Sequence, residues 1–162
     1  MIIPKLIVFD FDGVFTDNRV YVLEDGREMV CCSREDSLGI ARLKKHQIPM
    51  MILSTEINPV VAARAKKLFL LLHQGCADKA AFLKKYLSEM DIPKNSVIFV
   101  GNDVNDLEAM RLAGFSACPV DAHPEIKNMA SLTLTKRGGN GAIRELCDLI
   151  AREIEKPRLT TI

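Results

Sequence analysis

Four stretches of the chain carry short apolar runs: "KLIVFD" at 5–10, "IPMMIL" at 48–53, "SVIFVG" at 96–101 and the weaker "FSACPV" at 115–120. A strand with one wet face alternates apolar and polar residues; one covered on both faces does not. These runs therefore predict buried strands of a parallel sheet. Between them apolar residues recur at helical spacing. "NPVVAARAKKL" opens with Asn58 as N-cap and Pro59 in the first helical position, and "DKAAFLKKYLSEM" follows a short strand within "LLLHQG". "VNDLEAMRLAG" reads as a helix stopped by Gly114, and "NGAIRELCDLIAREIEK" as an amphipathic one. Strands alternating with helices imply right-handed crossovers and a doubly wound, mostly parallel α/β sheet of the Rossmann-like kind. With no repeat, linker or low-complexity tract, one domain over 1–162 is expected.

One stretch breaks the alternation. "RVYVLEDGREMVCC", 19–32, holds two strand-like runs around Asp25-Gly26, the signature of a β-hairpin, predicted as a flap over about 18–33. Val20, Tyr21, Val22 and Leu23 are consecutive, so both faces of its first strand are apolar. Cover by a second copy of the chain is one explanation; a poorly patterned flap within one chain is the other.

Composition narrows the function. With 162 residues, 48% apolar and 27% charged, the chain has enough apolar residues for one core. Its 22 Lys+Arg against 21 Asp+Glu give a net charge of +1, which argues against a nucleic-acid partner. Five cysteines, without metal-ligand spacing, read as free thiols of a reducing, cytoplasmic environment. The N-terminal apolar stretch meets an acid at position 10, too early for a signal-peptide core, and no run of about 18 apolar residues predicts a membrane span.

The polar residues that follow the strands carry the chemistry. Asp10 and Asp12 follow the first, Ser54 and Thr55 the second, and Asn102, Asp103, Asn105 and Asp106 the run at 96–101; Lys79 begins a helix. In a parallel sheet all of these converge on one edge, where ligands bind. Taken singly, each is a common turn or cap residue; together they form hard oxygen ligands for Mg²⁺, plus a hydroxyl and an ammonium for phosphoryl oxygens. One carboxylate can attack phosphorus and a second can serve as acid and base. Gly13 lets the chain turn away without a side chain blocking the phosphate, and Asp17 is expected to cap the turn into the hairpin.

In this order, "DFDGV", Ser54, Lys79 and "GNDVND" resemble the haloacid dehalogenase superfamily of aspartate-nucleophile phosphatases. The resemblance implies Asp10 as nucleophile, Asp12 as acid/base, and Ser54 and Lys79 on the phosphoryl group. It implies Mg²⁺ held by the Asp10 carboxylate, the Asp12 carbonyl and the residue after Gly101. That residue is aspartate in the usual pattern and Asn102 here; Asp103 or Asp106 could compensate, Asp106 from behind the ligands. No cap domain fits between the motifs. The chain also resembles the capless subgroup that contains the 3-deoxy-manno-octulosonate 8-phosphate phosphatases, in which hairpins associate into tetramers. "KRGGNGAIRE" is part of that likeness and makes Arg137 a substrate contact; as local sequence alone, "GGNG" is equally a turn leading into a helix. Thr55-Glu56 with Arg64 or Lys67 resembles the nine-carbon branch, acting on sialic-acid-type 9-phosphates, and the phosphatase-like domains fused to acylneuraminate cytidylyltransferases. In that reading Glu56 accepts from sugar hydroxyls and Arg64 or Lys67 pairs with the sugar carboxylate; otherwise both are solvated helix charges. The expected function is a Mg²⁺-dependent phosphatase of a 2-keto-3-deoxy sugar-acid phosphate. The alternatives are a weakly active or non-catalytic relative that oligomerises or regulates a cytidylyltransferase, and a phosphoacceptor signalling domain.

Overall fold

The computed structural model describes residues 2–156. In chain order it contains β1 (Leu6–Phe9), the hairpin strands β2 (Thr16–Val22) and β3 (Glu28–Cys32), α1 (Arg34–Lys44), β4 (Met50–Leu53), α2 (Pro59–Leu68) and β5 (Leu71–His73). Next come α3 (Lys79–Glu89), β6 (Val97–Val100), α4 (Leu107–Leu112), β7 (Phe115–Cys118), α5 (Pro124–Met129), β8 (Leu132–Thr133) and α6 (Ala142–Glu155). Six strands form one parallel sheet in the order β5-β4-β1-β6-β7-β8, while β2 and β3 pair separately and antiparallel. The strand order reverses at β1, so the loops leaving β1, β4 and β6 enclose a crevice at their carboxyl ends.

The uninterrupted apolar runs have the use expected of them. Ile7, Phe9, Ile52, Ile98 and Val100 pack with residues of α1, α2 and α6. Their alternates Leu6, Val8, Met51, Leu53, Val97 and Phe99 pack with α3, α4 and α5. Burying one such side chain stabilises the fold by roughly 1.5–3 kcal/mol, so the three central strands anchor both layers. Asn58 caps α2 by accepting from the Val60 N–H at 3.1 Å, with Pro59 beside it, and Asp78 caps α3 through the Ala81 N–H at 2.9 Å.

Helix α6 starts at Gly141, which offers no side-chain cap. Asp36 of α1 supplies one instead, its Oδ1 accepting from the Arg144 N–H at 3.0 Å. Its Oδ2 is buried without a partner.

Three details differ from the periodicity. "VNDLEAMRLAG" divides into a 3₁₀ turn at Val104–Asp106 and the six-residue α4. Gly114 also has a packing duty, because a Cβ there would lie 2.4 Å from the Asn95 Cα. The short elements α5 and β8 had no legible pattern of their own. The hairpin turn closes through Leu23 N–H donating to the Arg27 oxygen at 2.8 Å, with Gly26 at φ +82°. A register shift between Thr16 and Val20, with Asn18 at φ +63°, twists its root. Asp17 lies at that root, accepting from the Arg19 N–H at 3.2 Å.

Candidate active site

Asp10 follows β1 directly, its N–H donating to the Val100 oxygen at 2.8 Å, so the loop is tied to β6 before it turns. Phe15 N–H then donates to the Phe11 oxygen at 2.8 Å, and Gly13 at φ +76° makes the turn possible. Thr16 locks the loop: its Oγ1 accepts from the Gly13 N–H at 3.1 Å and donates to Asp12 Oδ1 at 3.4 Å. A second loop braces the first from outside. Gly139 N–H donates to the Val14 oxygen at 3.1 Å, and a Cβ on Gly138 would sit 1.9 Å from the Gly13 oxygen.

Lys79, in the first turn of α3, reaches between two acids. Its Nζ lies 2.7 Å from Asp10 Oδ1 and 2.6 Å from Asp106 Oδ1, with Lys79 and Asp106 at 2% and 0% exposure. Burial works against the ammonium, but Asp10 and Asp106 outweigh it and hold the Lys79 pKa above its usual value. Burial, aided by the charge of Asp106, pushes Asp10 up to about 7 against the pull of Lys79. Burial and then the charge of Glu56 raise Asp12, which is less enclosed.

Asp106 does two jobs. Its second oxygen accepts from the Asn102 N–H at 3.0 Å and the Asp103 N–H at 3.4 Å, so one carboxylate grips both Lys79 and the loop after β6. Gly101 makes room, since a Cβ there would meet the Asp106 Cβ at 2.6 Å. Asp103 turns its Oδ1 to the Val104 N–H at 2.7 Å and caps the 3₁₀ turn. The Asn102 amide lies over Gly13 and reaches the Asp12 main-chain oxygen at 2.8 Å and Asp10 Oδ2 at 3.3 Å.

Ser54 is buried at the end of β4, its Oγ accepting from the Glu56 N–H at 3.0 Å. Thr55 joins Asp10, Asp12, Asn18, Asn102, Asp103 and Asn105 around a cavity of about 130 Å³. A neighbouring cavity of about 290 Å³ shares Asp12 and Asn18 and is walled by Arg19, Val20, Glu28, Glu56, Asn58 and Val60. Glu56 also braces its own loop, Oε1 accepting from the Ile57 and Asn58 N–H groups at 2.8 and 3.1 Å. Asn58 Nδ2 donates to Glu28 at 2.8 Å, joining hairpin to α2.

The structure does not bring Arg64 or Lys67 to these cavities. Arg64 donates through Nη2 to the Ser33 oxygen at 2.7 Å and Ser37 Oγ at 3.3 Å, which pins α2 to the start of α1. Lys67 is exposed on α2. Arg137 lines a separate cleft of about 370 Å³ with Asp17, Arg19 and Asn140, and its Nε pairs with Asp121 at 3.2 Å. Sequence reasoning missed Asn18, Arg19, Glu28 and Asn58. Their signal was position alone: Asn18 and Arg19 sit at the root of the hairpin, Glu28 opens its second strand and Asn58 begins a helix beside Glu56.

The donor set is hard oxygen. Among the described residues no three His, Cys, Asp or Glu side chains are grouped to hold a metal. The Asp10 carboxylate, the Asp12 carbonyl and the Asn102 amide nevertheless converge at the small cavity and fit a small divalent cation completed by water and phosphate. No helix among the described residues is long and apolar enough to cross a membrane.

Comparison with known proteins agrees with this geometry. Residues 33–146 match the haloacid dehalogenase-like hydrolase family. The chain is 31% identical over 147 residues to the 3-deoxy-D-manno-octulosonate 8-phosphate phosphatase KdsC of Yersinia pestis, covering 90% of this chain and 79% of that protein. The crystal structure of the Yersinia pestis phosphatase superposes with a TM-score of 0.88 at 31% identity, over 93% of this chain and 83% of that one. The Moraxella catarrhalis phosphatase, solved in complex with magnesium ion, phosphate ion and KDO, gives a TM-score of 0.88 at 31% identity, over 92% of this chain and 86% of that one. The family match takes in more than half of the chain, and the chain belongs to the haloacid dehalogenase-like hydrolase family.

Proposed function

We propose that the protein is a Mg²⁺-dependent phosphomonoesterase acting on a phosphorylated 2-keto-3-deoxy sugar acid. One observation carries this reading: Lys79 binds Asp10 and Asp106 while the Asp10 carboxylate, the Asp12 carbonyl and Asn102 converge beside it. Asp10 attacks phosphorus and forms an aspartyl phosphate as the ester P–O bond breaks. Asp12, whose pKa burial and the charge of Glu56 push upward, gives a proton to the departing alkoxide. It then takes one from the water that attacks the aspartyl phosphate, and inorganic phosphate leaves with Asp10 restored. Ser54 and Lys79 hold the phosphoryl oxygens. Asp10, the Asp12 carbonyl and Asn102 would hold Mg²⁺, with Asp103 at the cavity wall, and the bound cation would supply the charge that favours an ionised Asp10 and offsets that of the phosphoryl group.

The 290 Å³ cavity supplies the leaving-group site. Glu28, Glu56 and Asn58 accept or donate to sugar hydroxyls, and Arg19 offers the cation for a carboxylate in place of Arg64 and Lys67. Relatives named for the eight-carbon acid support an octulosonate 8-phosphate, and Glu56 keeps a sialic-acid-type 9-phosphate in the same class. The exposed apolar hairpin supports assembly into a tetramer, with a second copy covering the cavity mouth.

Purified protein with Mg²⁺ is offered octulosonate 8-phosphate and neuraminate-type 9-phosphates, and released phosphate is measured. Turnover is expected with at least one of them, and loss of turnover in EDTA and in Asp10→Asn. No release from either sugar acid, or an Asp10→Asn variant as active as wild type, would overturn the reading.

A further inference from the structure

Asn102 is 7% exposed, and its terminal amide is confined between Gly13, the Asp12 carbonyl and Asp10. The amide has two orientations of the same shape. With Oδ1 inward, the Asn102 oxygen faces two further acceptors, the Asp12 main-chain oxygen at 2.8 Å and Asp10 Oδ2 at 3.3 Å, with no hydrogen between them. Three convergent oxygens need a cation or a proton among them. With Nδ2 inward, the NH₂ group donates to both of those acceptors at the same distances.

We infer that Asn102 acts as a stand-in for the metal: when no cation is bound its NH₂ group turns inward and its hydrogens link the oxygens that would hold one, and the amide turns its oxygen inward when a cation arrives. This rests on the proposed Mg²⁺ site and goes further, because it assigns a state to the metal-free enzyme. An aspartate at this position could take only the first arrangement. It would place a carboxylate beside Asp10 and the Asp12 carbonyl, a repulsive cluster until a cation enters.

Gly13 makes the exchange possible, since a Cβ there would lie 2.0 Å from Asn102 Nδ2. The surroundings stay fixed during it. The Asn102 N–H is held by Asp106 Oδ2 at 3.0 Å and the Asn102 oxygen of the main chain by the His123 N–H at 2.8 Å, so only the terminal torsion need change. Two consequences follow. The loop after β6 remains ordered without metal, and Mg²⁺ binds more weakly than to a carboxylate, because it must displace two hydrogen bonds and meets one less negative charge.

The test uses the full chain and Mg²⁺ alone. Melting is followed in EDTA and across a Mg²⁺ titration for wild type, Asn102→Asp and Asn102→Ala, with calorimetry for affinity. Side-chain amide proton–nitrogen spectra of wild type are recorded in parallel. The expected result is a metal-free wild type that melts above both variants, and Asn102→Asp binding Mg²⁺ about tenfold or more tightly with the larger rise in Tm. The Asn102 NH₂ pair should be protected from exchange in EDTA and shift when Mg²⁺ is added. If wild type and Asn102→Asp have the same metal-free Tm and the same Mg²⁺ dependence, the stand-in is wrong while the metal-dependent phosphatase survives. An Asn102 NH₂ pair in fast exchange and blind to Mg²⁺ overturns it without recourse to any variant. If no protein responds to Mg²⁺ by any readout, both readings fall.

Discussion

At the carboxyl edge of the sheet Asp10 and Asp106 each lie within hydrogen-bond distance of Lys79, and all three side chains are out of water. On the hairpin, by contrast, Val20, Tyr21, Val22 and Met29 are 49%, 59%, 66% and 52% exposed. Charge is inside and hydrocarbon outside, the reverse of the usual partition. The two regions resolve the inversion differently. The edge resolves it within the chain, because every buried charge faces an opposite one and the oxygens of Asp106 are taken up by Lys79 and two backbone N–H groups. The hairpin contains no such answer among the described residues, and the proposed assembly would supply one from a second copy.

The sharpest way to break the edge is Lys79→Met. It leaves Asp10 and Asp106 facing each other without a cation, and losing one partner of a buried ion pair costs about 3–5 kcal/mol. Denaturant titration in EDTA should show that loss, and phosphate release should vanish. A stability unchanged from wild type would mean that the triad is hydrated in solution. The next effect comes from the brace behind it. Gly138→Ala drives a methyl into the Gly13 oxygen, and overpacking of this kind costs about 1–3 kcal/mol. Because the strain lands on the loop of Asp12, turnover should fall by more than the folded fraction does.

Asp36 sharpens the comparison from a third position. It is a buried acid like Asp106, but Oδ2 has no partner, and burial raises its pKa to about 6 despite the Arg144 N–H and the charge of Arg64. Its folded-state pKa lies above the unfolded value, so the folded protein binds the extra proton. The Asp36 contribution is therefore full below pH about 4 and is lost as pH rises through about 6. Asp10 titrates in a neighbouring range, so the difference between wild type and Asp36→Asn is the quantity to measure. Relative to that variant, wild type should lose on the order of 2 kcal/mol between pH 4 and 7. A difference flat with pH would show that Asp36 is solvated.

The central strands were legible because they are covered on both faces and read as unbroken apolar runs; β8, two residues long at a sheet edge, has no room for a pattern. The edge chemistry was legible as a set of residue types after strands, since the topology alone gathers them. Its wiring was not. Nothing local says that Asp106 holds Lys79, because the pair forms only when the turn after β6 meets the first turn of α3. Arg64 was read toward the ligand, but helical spacing gives a face and not the neighbour on it, which is the start of α1. Arg19 and Glu28 were read only as hairpin, since the twist at Asn18 that turns them toward Asp12 depends on a single left-handed residue.

The smallest effect on the single chain should come from the hairpin. Val22→Asp alters a side chain that is mostly in water, so its intrinsic cost should stay within about 0.5 kcal/mol of zero. Its effect on assembly should be large, because a carboxylate placed in an apolar interface must be desolvated without a partner. Sedimentation of wild type should show a tetramer and of Tyr21→Asp/Val22→Asp, whose side chains lie outside the lining of the leaving-group cavity, a smaller species. Asp10, Lys79 and Asp106 are untouched by these changes, so a dissociated variant separates two possibilities for the cavity walled by Val20 and Glu28. If the neighbour closes that cavity, KM for the sugar acid rises and turnover falls together. If dissociation leaves both constants unchanged, the hairpin serves assembly alone, and water is kept from Asp10 by the chain's own loops.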